Sequence, residues 1–344
     1  MARRHKTGPL LRLPLFLLIT GIVSASMYVP AIFAVTVDDH HSARAFFDAG
    51  TLGLVVVTLV ALALAGRVPR HGDMGQLLAL AATFAVLPVF LAVPAHEAIR
   101  PTSFLNAYFD MVSAVTTTGA DVFGDPRRLP EAVHLWRAQV GWMGGLLMWV
   151  AASAILAPMS LGGFEVTARG EPGRGASVSG LGKAADPRQR LVRVVGTLAP
   201  IYVGLTAVLW LSLLLAGDRS LVALCHAMSV MATSGISPVG GIEGSTSGIA
   251  GEFILFLFLA FALSRLTFSS DTAVQGGAKL YHDPEFRIGI LIVTGVPLLL
   301  FLRHWIGAYD VDAGEDILTG LRALWGARFP VLSFLTTTGL VSSD

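Results

Sequence analysis

Hydrophobic and polar residues segregate along this chain in long blocks. Seven apolar stretches, Leu10–Val37, Phe46–Gly66, Leu77–Pro94, Val140–Pro158, Leu191–Ala216, Ile249–Leu263 and Ile288–Leu302, are separated by charged or glycine-rich segments. A membrane-crossing helix needs about 20 apolar residues, with about 17 the practical minimum. The first stretch carries Arg12 near its start and prolines at Pro14 and Pro30, and the last two reach spanning length only with neighbours such as Leu266 and Phe286. The pattern predicts seven spans. Three further apolar stretches, about 12 residues each, are too short to cross; they run into Thr116, Ala232 and Thr336. Short helices at membrane depth are tolerated where the following loop lines a watery cavity. The expected fold is therefore an all-α polytopic membrane protein built from repeated helix, re-entrant loop, helix units around a central pore.

Composition agrees and narrows the classes. Hydrophobic residues make up 54% of the chain and charged ones 14%, where a soluble domain carries about a quarter charged residues; mean hydropathy is +0.69. The net charge of +1 points to no nucleic acid or other polyanion. The single cysteine, Cys225, excludes an internal disulfide framework and reads as a small packing residue. There is no HExxH and no GxSxG, and Gly182-Lys183 lacks the spaced glycine and following hydroxyl of a phosphate-binding loop. No enzyme activity and no cofactor are expected. The basic start with Ser24-Ala25-Ser26 resembles a signal peptide, but the apolar run continues to Val37, so an uncleaved first helix is expected.

The ends of the three short stretches match one another. FDMVSAVTTTGAD, CHAMSVMATSGIS and RFPVLSFLTTTGL align with serines at Ser113, Ser229 and Ser333 and glycines at Gly119, Gly235 and Gly339. The repeat period is about 110 residues, that of a structural unit. Hydroxyl residues ahead of a glycine can run extended, and the glycine tolerates positive φ, so successive carbonyls can turn toward one axis. A ring of such carbonyls replaces the water shell of a cation. The candidate cation-binding residues are Thr116, Thr117, Thr118 and Gly119; Thr233, Ser234 and Gly235; and Thr336, Thr337, Thr338 and Gly339. The preceding half-helices are expected to aim negative C-terminal partial charge at the cavity.

Loop charges give an orientation. Arg3, Arg4, Lys6 and Arg12 place the N-terminus in the cytoplasm; Asp38-Asp39-His40-His41 with one Arg44 suits the outside; Arg67 and Arg70 return the chain inside. The basic, glycine-rich linker Arg169–Arg193 and a second inner loop with Arg265, Lys279 and Arg287 follow, and Asp310, Asp312, Glu315 and Asp316 mark the last outer loop. Each motif is then entered from outside, and the units share one orientation, which favours a ring over an inverted-repeat carrier.

These motifs together resemble the membrane subunit of the Trk/Ktr/HKT superfamily of potassium transporters, the bacterial TrkH type above all. The residues that carry the likeness are Phe109–Pro158 with TTTGAD and LWRAQVGWMGGLLMWVAASAILAP, LCHAMSVMATSGIS, YHDPEFR at Tyr281–Arg287, and TTTGL. The resemblance implies potassium uptake across a bacterial inner membrane, two N-terminal helices (1–72), and pore units at 73–168, 169–280 and 281–344 with filter loops 116–121, 232–237 and 336–341. It further implies glycine at every filter position for K⁺ preference, a homodimer in membrane lipid, and a cytosolic nucleotide-binding regulatory subunit of the TrkA/KtrA kind. Four units are usual in that superfamily, so the sequence ending at Asp344 reads as lacking the end of unit three and all of unit four. Ser234 and Leu340 depart from the usual Gly and Phe. A Na⁺- or H⁺-coupled carrier and a non-conducting fragment are the alternative readings.

Other polar residues have plainer readings. Asp121 and Asp125 fit a cation lure at the outer mouth and solvated loop acids equally well. Asp110 suits a local hydrogen bond, His226 a polar helix start, and His134, Trp136 and Arg137 an interfacial helix end. The GxxxG in Gly141-Trp142-Met143-Gly144-Gly145 suits close helix packing.

Overall fold

The computed structural model describes residues 13–65, 73–156, 187–263, 284–309 and 317–342, which are helices and turns without a strand among them. In chain order the helices are α1 (Leu15–Ser26), α2 (Tyr28–Thr36), α3 (His40–Leu64), α4 (Asp73–Ala85), α5 (Leu87–Ala98), α6 (Phe104–Val115) and α7 (Glu131–Ala151). They continue as α8 (Pro187–Leu215), α9 (Ser220–Ala232), α10 (Gly248–Phe261), α11 (Pro284–Tyr309) and α12 (Ile317–Leu335). Among the described residues six helical runs are long and apolar enough to cross a membrane: Leu15–Thr36, His40–Leu64, Met74–Ala98, Glu131–Leu156, Arg188–Leu215 and Pro284–Arg303. Their outward faces are apolar, as at Leu62, Leu291 and Leu299, each about two-thirds exposed. Water does not tolerate such stripes, and lipid does. The protein is an all-helical, multi-pass membrane protein.

Six of the seven expected spans take this form. The seventh, Ile249–Leu263, is the 14-residue α10, short of spanning length within the described residues. The first span starts at Leu15 with Pro14 as N-cap and is interrupted at Met27, three residues ahead of Pro30; proline is compatible with a first helical turn. Two of the three short stretches are short helices, α6 with 12 residues and α9 with 13. The third is longer than expected: α12 runs 19 residues with Pro330 inside it. Arg3, Arg4, Lys6, Arg12, Arg67, Arg70, most of the linker 169–193, Arg265, Lys279, Tyr281–Asp283 and the acids of 310–316 lie outside the described residues.

The chain divides into two compact units, Met1–Thr116 with Arg128–Tyr202, and Thr117–Arg127 with Val203–Asp344. In the first, small residues let backbones close up. A β-carbon on Gly50 would press on the Ser24 carbonyl, and one on Gly53 would overlap Ser24 and Phe90. That close approach replaces the hydrophobic drive that lipid removes. Trp136 of α7 is fully buried, meets Phe46 edge-on at 5.7 Å, and donates from Nε1 to the Leu91 carbonyl at 3.3 Å. Gln139 Nε2 donates to the Ser26 carbonyl at 2.9 Å. In the second unit Leu209, Leu213, Ala227, Val230, Leu255, Leu259, Phe329, Leu332 and Leu340 form one core around α9, α10 and α12.

Candidate functional site

The short helices end in the repeated motif, and their ends are built alike. In α9 the Ser234 amide donates to the Ser229 carbonyl at 2.9 Å and the Thr233 amide to the Val230 carbonyl at 3.1 Å. In α12 the Thr338 amide donates to the Ser333 carbonyl at 2.8 Å and the Thr337 amide to the Phe334 carbonyl at 3.0 Å. This pairing of a six-to-one with a five-to-two bond is the Schellman cap, whose pivot residue is left-handed and usually glycine. Here the pivots are threonines, Thr233 at φ 50° and Thr337 at φ 61°, and the matching Thr117 stands at φ 56°. Two residues on, Gly119, Gly235 and Gly339 are left-handed too, at φ 70°, 67° and 77°. The three loops therefore share one backbone, left-handed at alternate residues, although their letters differ.

Within the second unit the loops abut in order. A β-carbon built on Gly119 would lie deep inside the carbonyl oxygen of Ser234, and one built on Gly235 inside the carbonyl oxygen of Thr338. Each glycine thus receives the main-chain oxygen of the residue just before the next loop's glycine. Gly339 meets no described atom within 4 Å at the same point. Ser234 and Thr338 are buried by this stacking, whereas Thr118 is exposed. Positive φ alone does not require glycine where three threonines sustain it; at Gly119 and Gly235 the approaching carbonyl is the second reason.

The aligned serines work inside the caps. Ser229 and Ser333 supply the six-to-one acceptor carbonyls, and Ser333 Oγ also accepts from the Leu340 amide at 2.6 Å. All three serines are buried. Thr116 and Thr336 turn their hydroxyls back on their own helices, to the Val112 carbonyl at 2.7 Å and the Leu332 carbonyl at 2.9 Å. That bond is local, which is why Ala232 can hold the same position in the second copy.

Around the loops several residues behave otherwise than their sequence suggested. His226 is no helix-start residue: it lies mid-α9, fully buried, with Nε2 2.9 Å from Ser237 Oγ, which itself donates to the Gly241 carbonyl at 2.8 Å. Asp121 Oδ1 accepts from the Phe123 amide at 2.9 Å and Asp125 Oδ1 from the Arg127 amide at 3.0 Å, so both shape turns in the segment between Gly119 and α7. Asp218 went unnoticed. Its Oδ1 accepts from Ser245 Oγ at 2.7 Å and from the Thr246 and Ser247 amides at 2.9 Å each, and Oδ2 accepts from Ser247 Oγ at 2.9 Å. This pins the segment after the second loop to the foot of α9, and an aspartate before a helix with a later Ser-Thr-Ser run is the signal that marks it.

In the first unit, α6 is held against α7 at two points. Asp110 makes a buried ion pair with Arg137 of α7 at 2.9 Å, a long-range partner where its position suggested a local hydrogen bond. His134, Trp136 and Arg137 are all buried, so none anchors an interface. Gly144, which lies between the two glycines of the GxxxG, makes a close approach: a β-carbon there would overlap the carbonyl of Val115, the last residue of α6. Cys225 is buried and is not in a disulfide.

No family model matches the chain. It is 31% identical over 264 residues to the Trk system potassium uptake protein TrkH of Halomonas elongata, covering 76% of this chain and 50% of that protein. It is 29% identical over 248 residues to the Trk system potassium uptake protein TrkG of Escherichia coli, covering 70% of this chain and 47% of that one. The chain spans about half the length of these curated relatives. Among solved structures, the crystal structure of the potassium transporter TrkH from Vibrio parahaemolyticus superposes with a TM-score of 0.71 at 25% identity, over 98% of this chain and 65% of that one. In sequence and in fold, this chain is a relative of the TrkH-type proteins of the Trk system.

Proposed function

We propose that the whole protein takes up K⁺ across a bacterial inner membrane, through a pore whose narrow part is lined by the loops 116–121, 232–237 and 336–341. The observation that carries this reading is the backbone shared by the three loops, with Gly119 and Gly235 each bearing on the next loop's carbonyl. Main-chain oxygens held at fixed spacing take the place of a cation's hydration shell, and oxygens of Thr117, Thr118, Thr233, Ser234, Thr337 and Thr338 serve here. The relatives named for potassium uptake support the choice of ion. The exposed Thr118 and the open side of Gly339 fit a fourth loop of the same shape, its carbonyl on Gly339 and its glycine on the Thr118 carbonyl.

The N-terminus faces the cytoplasm in this proposal, and the protein acts as a homodimer with a cytosolic nucleotide-binding subunit docked on its inner loops. The test is growth. Expression of the entire gene in a bacterial strain lacking K⁺ uptake restores growth on low potassium; verified membrane expression without rescue overturns the reading. Purification with and without the regulatory subunit, followed by native mass measurement, tests the assembly.

A further inference from the structure

The third loop has a tether built from two donors of its own repeat, Trp325 and Ser342. Glu252 lies near the start of α10 and is fully buried. A carboxylate in the interior of a membrane protein is costly and is retained for a partner or a function. Two donors converge on one of its oxygens: Trp325 Nε1 at 2.9 Å and Ser342 Oγ at 2.8 Å both reach Oε2. Trp325 belongs to α12, the helix that leads into the loop, and lies against the rings of Phe253 and Phe256 at 6.0 and 5.3 Å. Ser342 comes just after Gly339 on the way out of the loop. One oxygen thus holds both the entry and the exit of Thr336–Gly339.

Neither donor recurs in the other repeats. The positions that match Trp325 are Leu105 and Leu221, and those that match Ser342 are Val122 and Pro238. The tether is thus a property of this loop and no by-product of the repeat. Its placement bears on the stack of loops, because the Thr338 carbonyl it steadies is the one that Gly235 receives.

We propose that Glu252 is a positioning residue for ion selectivity: it sets the height of the third loop against the second by accepting from Trp325 and Ser342 at once. Being fully buried, it acts on the ion through the loop and makes no ion contact of its own. The inference rests on the pore reading above. An amide oxygen accepts two hydrogen bonds as a carboxylate oxygen does, so Glu252→Gln preserves the tether and Glu252→Ala takes this acceptor from both Trp325 and Ser342.

The whole protein is reconstituted in liposomes and the K⁺/Na⁺ flux ratio is read beside total K⁺ flux and thermal unfolding in detergent. Glu252→Gln keeps the ratio within about twofold of wild type, and Glu252→Ala lowers it about tenfold. Trp325→Phe and Ser342→Ala, each removing one donor, fall between. Wild-type protein without K⁺ preference overturns the pore reading itself. A selective wild type with an unchanged ratio in Glu252→Ala overturns the positioning role, and Glu252→Gln as impaired as Glu252→Ala overturns the acceptor geometry. If Glu252→Ala fails to assemble, the two single-donor variants decide, and an unchanged ratio in both refutes the proposal.

Discussion

Replacing Gly119 by alanine tests why these loops carry glycine at all. Two costs arise at that position. A β-carbon at φ 70° adds the left-handed penalty of about 1–2 kcal/mol. It also overlaps the Ser234 carbonyl, and restoring an ordinary C···O separation moves that oxygen by about 1 Å. Overpacking of this kind costs about 1–3 kcal/mol more. Gly124 is the control within the same loop: it stands at φ 65° with nothing within 4 Å of a built β-carbon, so Gly124→Ala meets the first cost alone. We expect both variants to lose some thermal stability. Only Gly119→Ala displaces a carbonyl of the next loop, and its K⁺/Na⁺ flux ratio in liposomes should fall at least about tenfold, the equivalent of 1.4 kcal/mol. Equal ratios in the two variants would refute the reasoning, because backbone freedom would then suffice to explain the glycine.

The Asp110–Arg137 pair is buried at both ends, so Asp110→Ala or Arg137→Ala alone should cost about 3–5 kcal/mol; a double replacement by Leu and Met should recover most of it, as read by thermal unfolding in detergent. Gly144→Ala should push the Val115 carbonyl at the end of α6 and cost about 1–3 kcal/mol with reduced K⁺ flux. Gly204→Ala, with open space at its built β-carbon, should leave the flux unchanged.

Much of this architecture was legible in sequence because membrane depth converts composition directly into length. Apolar blocks such as Phe46–Gly66 had to become long helices, and His40–Leu64 is one. The repeat was legible because glycine leaves a letter where a carbonyl must come close. The threonine pivots were not: Thr117, Thr233 and Thr337 look like β-formers, and only the caps around them force positive φ. Polar residues near α7 were misread for a related reason. Arg137 on its own resembles a surface anchor, and the partner that buries it, Asp110, lies on another helix at a distance no local pattern encodes. α12 exceeds the expected 12 residues because the helix continues through Pro330 without ending there.

The glycine-to-carbonyl contacts have a consequence for how the loops fail. No side chain separates Gly119 from Ser234 or Gly235 from Thr338, so nothing soft absorbs a shift between them. A displacement of the Thr338 carbonyl is handed on to the second loop and from there to the first, as play in one link tightens the whole chain. Lesions at neighbouring loops therefore compound or cancel instead of adding, and double-mutant cycles across Gly119 and Gly235 should return coupling far from zero.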